Sequence, residues 1–250
     1  MVVLKTSREL AKMREAGRIS ANALKLAGQA VEPGVSTAEI DRVVRKYIEG
    51  QGAKPSFLGY GGFPASACIS VNDEVVHGIP SKKRILKSGD IVSIDVGAFI
   101  DGFHGDNAWT FACGDISEQA QGLLDATKES LFEGIKQAVA GNRIGDIGSA
   151  VQRYVEARNY SVVRDYVGHG VGAKLHEDPS VPNFGTPGRG VRLLPGMTIA
   201  IEPMINLGTH KVRVLDDDWT AVTADGKLSA HFEHSVAITA DGPVILTVAD

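Results

Sequence analysis

The chain has 250 residues, 43% hydrophobic and 22% charged, with a formal net charge of −4. That is the balance of an ordinary globular protein, long enough for one large core or two small ones. It excludes a membrane span, for which no apolar run is long enough, and offers nucleic acid no basic surface, since the densest patch, Lys82-Lys83-Arg84, reads as a solvated loop.

The apolar run near Met1 is too short for a signal peptide. Cys68 and Cys113 lack the spacing of a metal-type pair, so a cytoplasmic chain with two free thiols is expected. Thr6 and Glu9 form a capping box, followed by Leu10, Met13, Gly17, Leu24 and Ala27 at helical spacing, which predicts a long first helix ending before Pro33-Gly34. Ser36 and Glu39 repeat the box, and Ile40, Val43, Val44, Tyr47 and Ile48 make the apolar face of a second helix stopped by Gly50 and Gly52. Residues 55–64 are Gly-rich and carry Phe57, Tyr60 and Phe63. No Lys-Ser/Thr follows, so this is an aromatic loop that packs the core or lines an apolar pocket, not a phosphate cradle. Cys68–Val71 reads as a short strand leading into a turn with His77, and a lone histidine in a turn is usually structural.

Residues 91–111 hold the densest signal. Val92, Ile94 and Val96 alternate with Ser93, Asp95 and Gly97, as in a strand. Asp101-Gly102 then supplies the positive φ angles of a two-residue hairpin turn. With that turn Asp95 opposes Ala108, and Asp106 lies diagonal to Asp95 on the same face, their Cβ atoms roughly 7–8 Å apart. Two such carboxylates either share divalent cations or are a turn Asp and a solvated surface Asp; this stretch alone leaves both readings open.

Residues 117–139 predict a third helix, on Leu123, Leu124, Leu131, Ile135 and Ala138, and residues 144–157 a fourth, on Ile147, Ala150, Val151, Tyr154 and Val155. The fourth repeats the second: Gly34, Ile40, Tyr47 and Glu49 align with Gly141, Ile147, Tyr154 and Glu156 at one offset of 107. The same offset carries Ser88–Asp95 onto Pro195–Glu202. This points to a duplicated α/β unit, two helices and a sheet per half, with a pseudo-twofold placing Asp95 and Glu202 at equivalent positions facing a groove.

The second half adds His169 within Gly168–Gly172, which is not a dinucleotide fingerprint, and no G-x-S-x-G accompanies it. His176-Glu177 lacks the second histidine of a zinc-protease helix. Met197–Pro203 predicts a strand ending in Glu202, and Ala230–Val236 one strand with His231, Glu233 and Ser235 on one face. Together Asp95, Asp106, His169, Glu202 and Glu233 make four carboxylates and an imidazole, a set that suits Mn²⁺, Fe²⁺, Co²⁺ or Zn²⁺. Four carboxylates exceed the needs of one ion and suit two, which acidify a bound water and polarise a carbonyl oxygen.

With these motifs the chain closely resembles the type I methionine aminopeptidases: the hairpin through Asp95 and Asp106, the Ser70–Pro80 segment with His77, Gly168–Gly172 followed by His176, the strand ending in Glu202-Pro203, and the final Phe232-Glu233-His234. The resemblance runs from the first helix to the last strand. It implies a pita-bread α/β fold, mostly antiparallel sheet flanked by helices, as a single catalytic domain over 1–250 with pseudo-symmetric halves of about 1–113 and 114–250. It implies a two-metal hydrolase that removes the initiator methionine from nascent chains when the next residue is small and uncharged. Asp95 would chelate one metal, Asp106 and Glu233 would bridge both, and His169 and Glu202 would complete the other. Glu202 would also carry a proton to the leaving amine, while His77 and His176 would contact the scissile amide. Phe57, Tyr60, Phe63, Cys68 and Trp219 would surround the methionine side chain. Phe57 stands where some members carry Cys, and Leu175 replaces an aromatic or Met; both bear on pocket shape.

The interval from His176 to Glu233 is too short for the helical insertion of type II members. A cytoplasmic monomer acting on polypeptide N-termini is expected, with ribosome docking and the physiological metal left open. Two rivals share the fold: an Xaa-Pro peptidase, which usually carries an additional N-terminal domain, and a non-catalytic binding module, which typically loses metal ligands.

Overall fold

The structure is a computed structural model and describes residues 2–250. The first half runs α1 (Ser7–Gln29), α2 (Thr37–Gly50), β1 (Lys54–Pro55), a 3-10 turn at Tyr60–Gly62, β2 (Ala67–Val71), β3 (Glu74–Val76), β4 (Ile91–Ile100) and β5 (Phe103–Ala112). The second runs α3 (Glu118–Lys136), α4 (Ile144–Glu156), β6 (Ser161–Val162), β7 (Gly168–Gly170), β8 (Glu177–Val181), β9 (Thr198–Ile201), β10 (Met204–Asn206), β11 (Val212–Val214), β12 (Ala221–Thr223), β13 (Ser229–His231), β14 (His234–Thr239) and β15 (Gly242–Ile245). All strand pairs are antiparallel. No described helix follows α4, in keeping with the short interval to Glu233, and none is long and apolar enough to cross a membrane.

Both predicted capping boxes form: Thr6 and Ser36 give their backbone N–H to Glu9 and Glu39 at 2.7 and 2.8 Å, starting α1 and α2. α3 ends at Lys136, one turn before the expected 139, and Ala138 packs into the core from beyond its end.

The repeat at 107 extends to single hydrogen bonds. The isolated bridge Ser36–Ile85 recurs as Arg143–Arg192. Gly34 N–H to Leu86 O, at 2.8 Å, recurs as Gly141 to Leu193 at 3.0 Å. Gly34 and Gly141 have φ of 93° and 100°, a left-handed turn that favours glycine at both.

Sheet alternation decides which residues face the site. Val92, Ile94 and Val96 of β4 pack with Ile19, Leu24, Ile40 and Val44 under α1 and α2. In the second half Ile199 and Ile201 of β9 pack with Leu123, Leu131, Ile147 and Val151 under α3 and α4. Asp95 and Glu202 each follow a helix-covered isoleucine, so period two turns both away from the helices.

Two predicted strands are broken. Ile201 pairs with His234 and Met204 with His231 in one register, which sets Glu202 opposite Glu233 and Pro203 opposite Phe232, yet the four residues between belong to no strand. Met197–Pro203 and Ala230–Val236 are therefore not continuous strands. Here the chain passes from the sheet β15-β14-β9-β7-β8 to the sheet β13-β10-β6. Proline has no N–H for the ladder, and Glu233 N–H leaves it to bind Ala108 O of β5 at 2.8 Å.

Candidate metal centre

The hairpin places its acids as its turn chemistry requires. Asp101 and Gly102 have φ of 52° and 84°, and Asp95 pairs with Ala108, so the register is the expected one. Asp95 and Asp106 lie close enough for each carboxyl to shift the other's titration. Besides backbone bonds from Glu233 N–H to Ala108 O and from His104 N–H to Gly172 O, hydroxyls join this hairpin to the second half. Ser235 Oγ donates to Asp106 O at 2.8 Å and accepts from Asp106 N–H at 3.1 Å. Thr110 Oγ1 donates to His231 O at 2.9 Å and accepts from His231 N–H at 2.9 Å. Asn183 Nδ2 donates to Glu202 O at 2.9 Å, holding the backbone at the strand break.

On this frame Asp106, His169 and Glu233 each bring a ligand atom within 4.8 Å of the others. His169 Nε2 is 3.7 Å from Asp106 Oδ2 and 3.5 Å from Glu202 Oε1. His169 Nδ1 lies 2.8 Å from Gly170 O. A carbonyl only accepts, so Nδ1 carries the proton and the Nε2 lone pair faces the acids, the tautomer a metal-binding histidine needs.

Asp106 and Glu233 are buried, and Asp95 Oδ1, Asp106 Oδ1 and Glu233 Oε1 have no hydrogen-bond partner among the described residues. Burial pushes the Asp106 carboxyl up to about 7. Burial first, then the neighbouring carboxylates, raise Asp95, Glu202 and Glu233 well above the usual range. Burial also drives His169 down to about 3. A neutral imidazole amid crowded acids with orphaned oxygens fits divalent cations, since positive charge would satisfy each of them.

The acids line a cavity of about 260 Å³. Its other walls include Phe57, Tyr60, Phe63, Cys68, Leu175 and Trp219, so every residue the sequence reading placed around a methionine side chain faces this one space. Phe63 meets Trp219 edge to face at 5.1 Å between centroids. His77 and His176 line it too. His77 has φ of 61°, uncommon for a non-glycine residue, and its ring stands edge-on to Tyr166 at 5.3 Å. His176 Nδ1 meets the Tyr60 hydroxyl at 2.8 Å, and its ring lies 4.1 Å from that of His169. Burial lowers His77 to about 4 and lowers His176 as well, favouring neutral rings.

The sequence reading missed three contributors. Tyr166 and Met204 line the cavity without any motif to mark them. His231, recognised only as sharing a face with Glu233, has its Nε2 3.6 Å from Glu202 Oε2. Its place two residues before Glu233 was the available signal.

Comparison with known proteins agrees with this geometry. Residues 11–240 match the model of metallopeptidase family M24. The chain is 53% identical over 250 residues to a methionine aminopeptidase of Clostridium acetobutylicum, covering all of both chains. A crystal structure of methionine aminopeptidase from Thermotoga maritima superposes with a TM-score of 0.97 at 47% identity, covering 99% of each chain. The prolidase of Pyrococcus horikoshii, at 24% identity and a TM-score of 0.81, covers all of this chain but 65% of its own and shares the fold. The fold is thus the pita-bread fold expected from the sequence, and the chain belongs to metallopeptidase family M24, among its methionine aminopeptidases.

Proposed function

We propose that this hydrolase removes the initiator methionine from nascent polypeptides whose second residue is small and uncharged. The observation that carries the reading is one cavity lined by apolar side chains together with four acids and His169, with buried carboxylate oxygens lacking partners. Asp95, Asp106, His169, Glu202 and Glu233 would together hold two divalent ions, with Asp106 and Glu233 serving both. Mn²⁺, Fe²⁺, Co²⁺ and Zn²⁺ all suit such donors. When bound, these ions supply a water acidic enough to ionise near neutral pH and polarise the scissile carbonyl.

The rest falls to the chain's own groups. Phe57, Phe63, Cys68, Leu175 and Trp219 take up the methionine side chain, and thioether–aromatic contact favours it over charged or branched ones. His77 and His176 are neutral donors toward the scissile amide, where developing negative charge is worth most to stabilise. Glu202 would take the proton of the attacking water and pass it to the leaving amine. Both halves supply acids, so the site is complete within one chain, which supports a monomer and a single catalytic domain. A substrate that is an N-terminus at synthesis supports a cytoplasmic protein.

Release of free methionine from Met-Ala-Ser by metal-stripped protein, with each ion returned in turn, tests this. Metal-dependent release, absent with Met-Leu-Ser and with Ala-Pro, is expected. His77→Ala and His176→Ala are each expected to cut kcat by about 10²–10³-fold while leaving metal content unchanged. No release with any ion from folded protein would refute the reading.

A further inference from the structure

His231 has no part in the chemistry assigned above, yet it is among the most constrained side chains near it. It is 1% exposed, its backbone is tied on both sides to Thr110 Oγ1, and it pairs with Met204 in the ladder. Its Nε2 is buried and has no hydrogen-bond partner among the described residues. The nearest acid is Glu202, whose Oε2 lies 3.6 Å away, just beyond hydrogen-bond range. The other oxygen of that carboxylate, Oε1, faces His169 Nε2 at 3.5 Å. The Glu202 backbone is already held by Asn183. What remains free is the rotation of the carboxylate, and His231 stands where it can fix it.

We infer that His231 is a positioning residue for Glu202: its Nε2–H closes on Oε2 and leaves Oε1 turned to the side that His169 Nε2 faces. The inference rests on placing Glu202 among the metal-holding groups. The closure satisfies the buried His231 Nε2 with a movement of about half an ångström, from 3.6 Å to the usual N–H···O range. Partners of this kind orient ligands, and losing one typically weakens metal binding by about 10–100-fold.

Three variants separate the roles. His231→Gln presents a neutral N–H near the position of Nε2, His231→Asn near that of Nδ1, and His231→Leu fills the volume with no donor. The first readout is Mn²⁺ binding to metal-stripped protein by titration calorimetry, and the second is kcat and KM on Met-Ala-Ser. The Leu and Asn variants are expected to bind Mn²⁺ about 10–100-fold more weakly and to lose kcat with KM nearly unchanged. The Gln variant is expected to return both to near wild type, with metal-stripped thermal midpoints alike for all. Wild-type Mn²⁺ affinity in the Leu variant, or a Gln variant as impaired as Asn, overturns the inference. If the Leu variant does not fold, the Gln–Asn comparison decides alone. A wild-type chain that binds Mn²⁺ but releases no methionine would sink the aminopeptidase reading and leave this one to the affinities.

Discussion

Lys5 and Glu177 show how a single pair supports the site from outside it. Lys5 Nζ meets Glu177 Oε2 at 2.5 Å, with the two side chains 3% and 12% exposed. Glu177 follows His176 directly, and its other oxygen accepts from Lys174 N–H at 3.0 Å, so the pair ties down the turn that carries His176. Burial pushes the Glu177 carboxyl up, but the Lys5 hydrogen bond and the backbone N–H groups outweigh it and hold it below the usual value. A depressed folded value means stability that is full above the unfolded value, about 4.5, and lost as pH falls through the folded one. Lys5→Met should therefore cost about 2 kcal/mol at neutral pH, less than a fully enclosed pair because Glu177 reaches solvent. The melting midpoint should drop by roughly 4–8 °C. Scans from pH 8 to 3 should show the deficit closing as the pH falls below 4.5 and Glu177 takes up its proton; a deficit independent of pH would rule out the ion pair as its source.

At the scale of elements, the hairpin depends on how closely α1 can approach it. A Cβ on Gly105 would stand 2.3 Å from Gly17 N of α1, and one on Gly17 would stand 2.4 Å from Leu246 O. Backbone meets backbone on both sides of the helix, so neither contact can yield by a side-chain rotation. Gly105→Ala is expected to cost up to about 3 kcal/mol by overpacking, lowering the melting midpoint by roughly 6–12 °C. It should also reduce turnover, since Asp106 is the next residue. Gly50, at the end of α2 with nothing within 4 Å of an added Cβ, is the control, and Gly50→Ala should leave both measurements near wild type. Equal effects at the two glycines would refute the packing argument. The hairpin was legible because its turn is local: Asp101-Gly102 determines the register, and the register sets Asp95 diagonal to Asp106. The breaks at Glu202-Pro203 and Phe232-Glu233 were not, because they arise where two sheets compete for one backbone.

For the whole molecule, the candidate metal centre draws its acids from both halves of the chain, so its occupancy should register in global stability. Crowded acids with unpartnered buried oxygens disfavour the folded state when no cation is present. An ion at a hundred times its dissociation constant stabilises by about 2.7 kcal/mol. Chelator-stripped protein should therefore melt roughly 5–10 °C below protein with saturating Mn²⁺, and returned metal should restore the midpoint. A midpoint indifferent to chelation would contradict a metal centre in these residues.

The sequence alone determined whatever depends on local periodicity and on the repeat. It set four helices and the hairpin with its register, and it named Asp95, Asp106, His169, Glu202 and Glu233 as candidate donors. These follow from capping, alternation and turn chemistry, which act over a few residues, and from one constant offset. Only the tertiary structure decided that Phe57 through Trp219 line one cavity with those acids, that His77 sits in a left-handed conformation, and that His231 faces Glu202. Those relations join residues far apart in the chain, and the packing of one half against the other, which no local pattern encodes, brings them together.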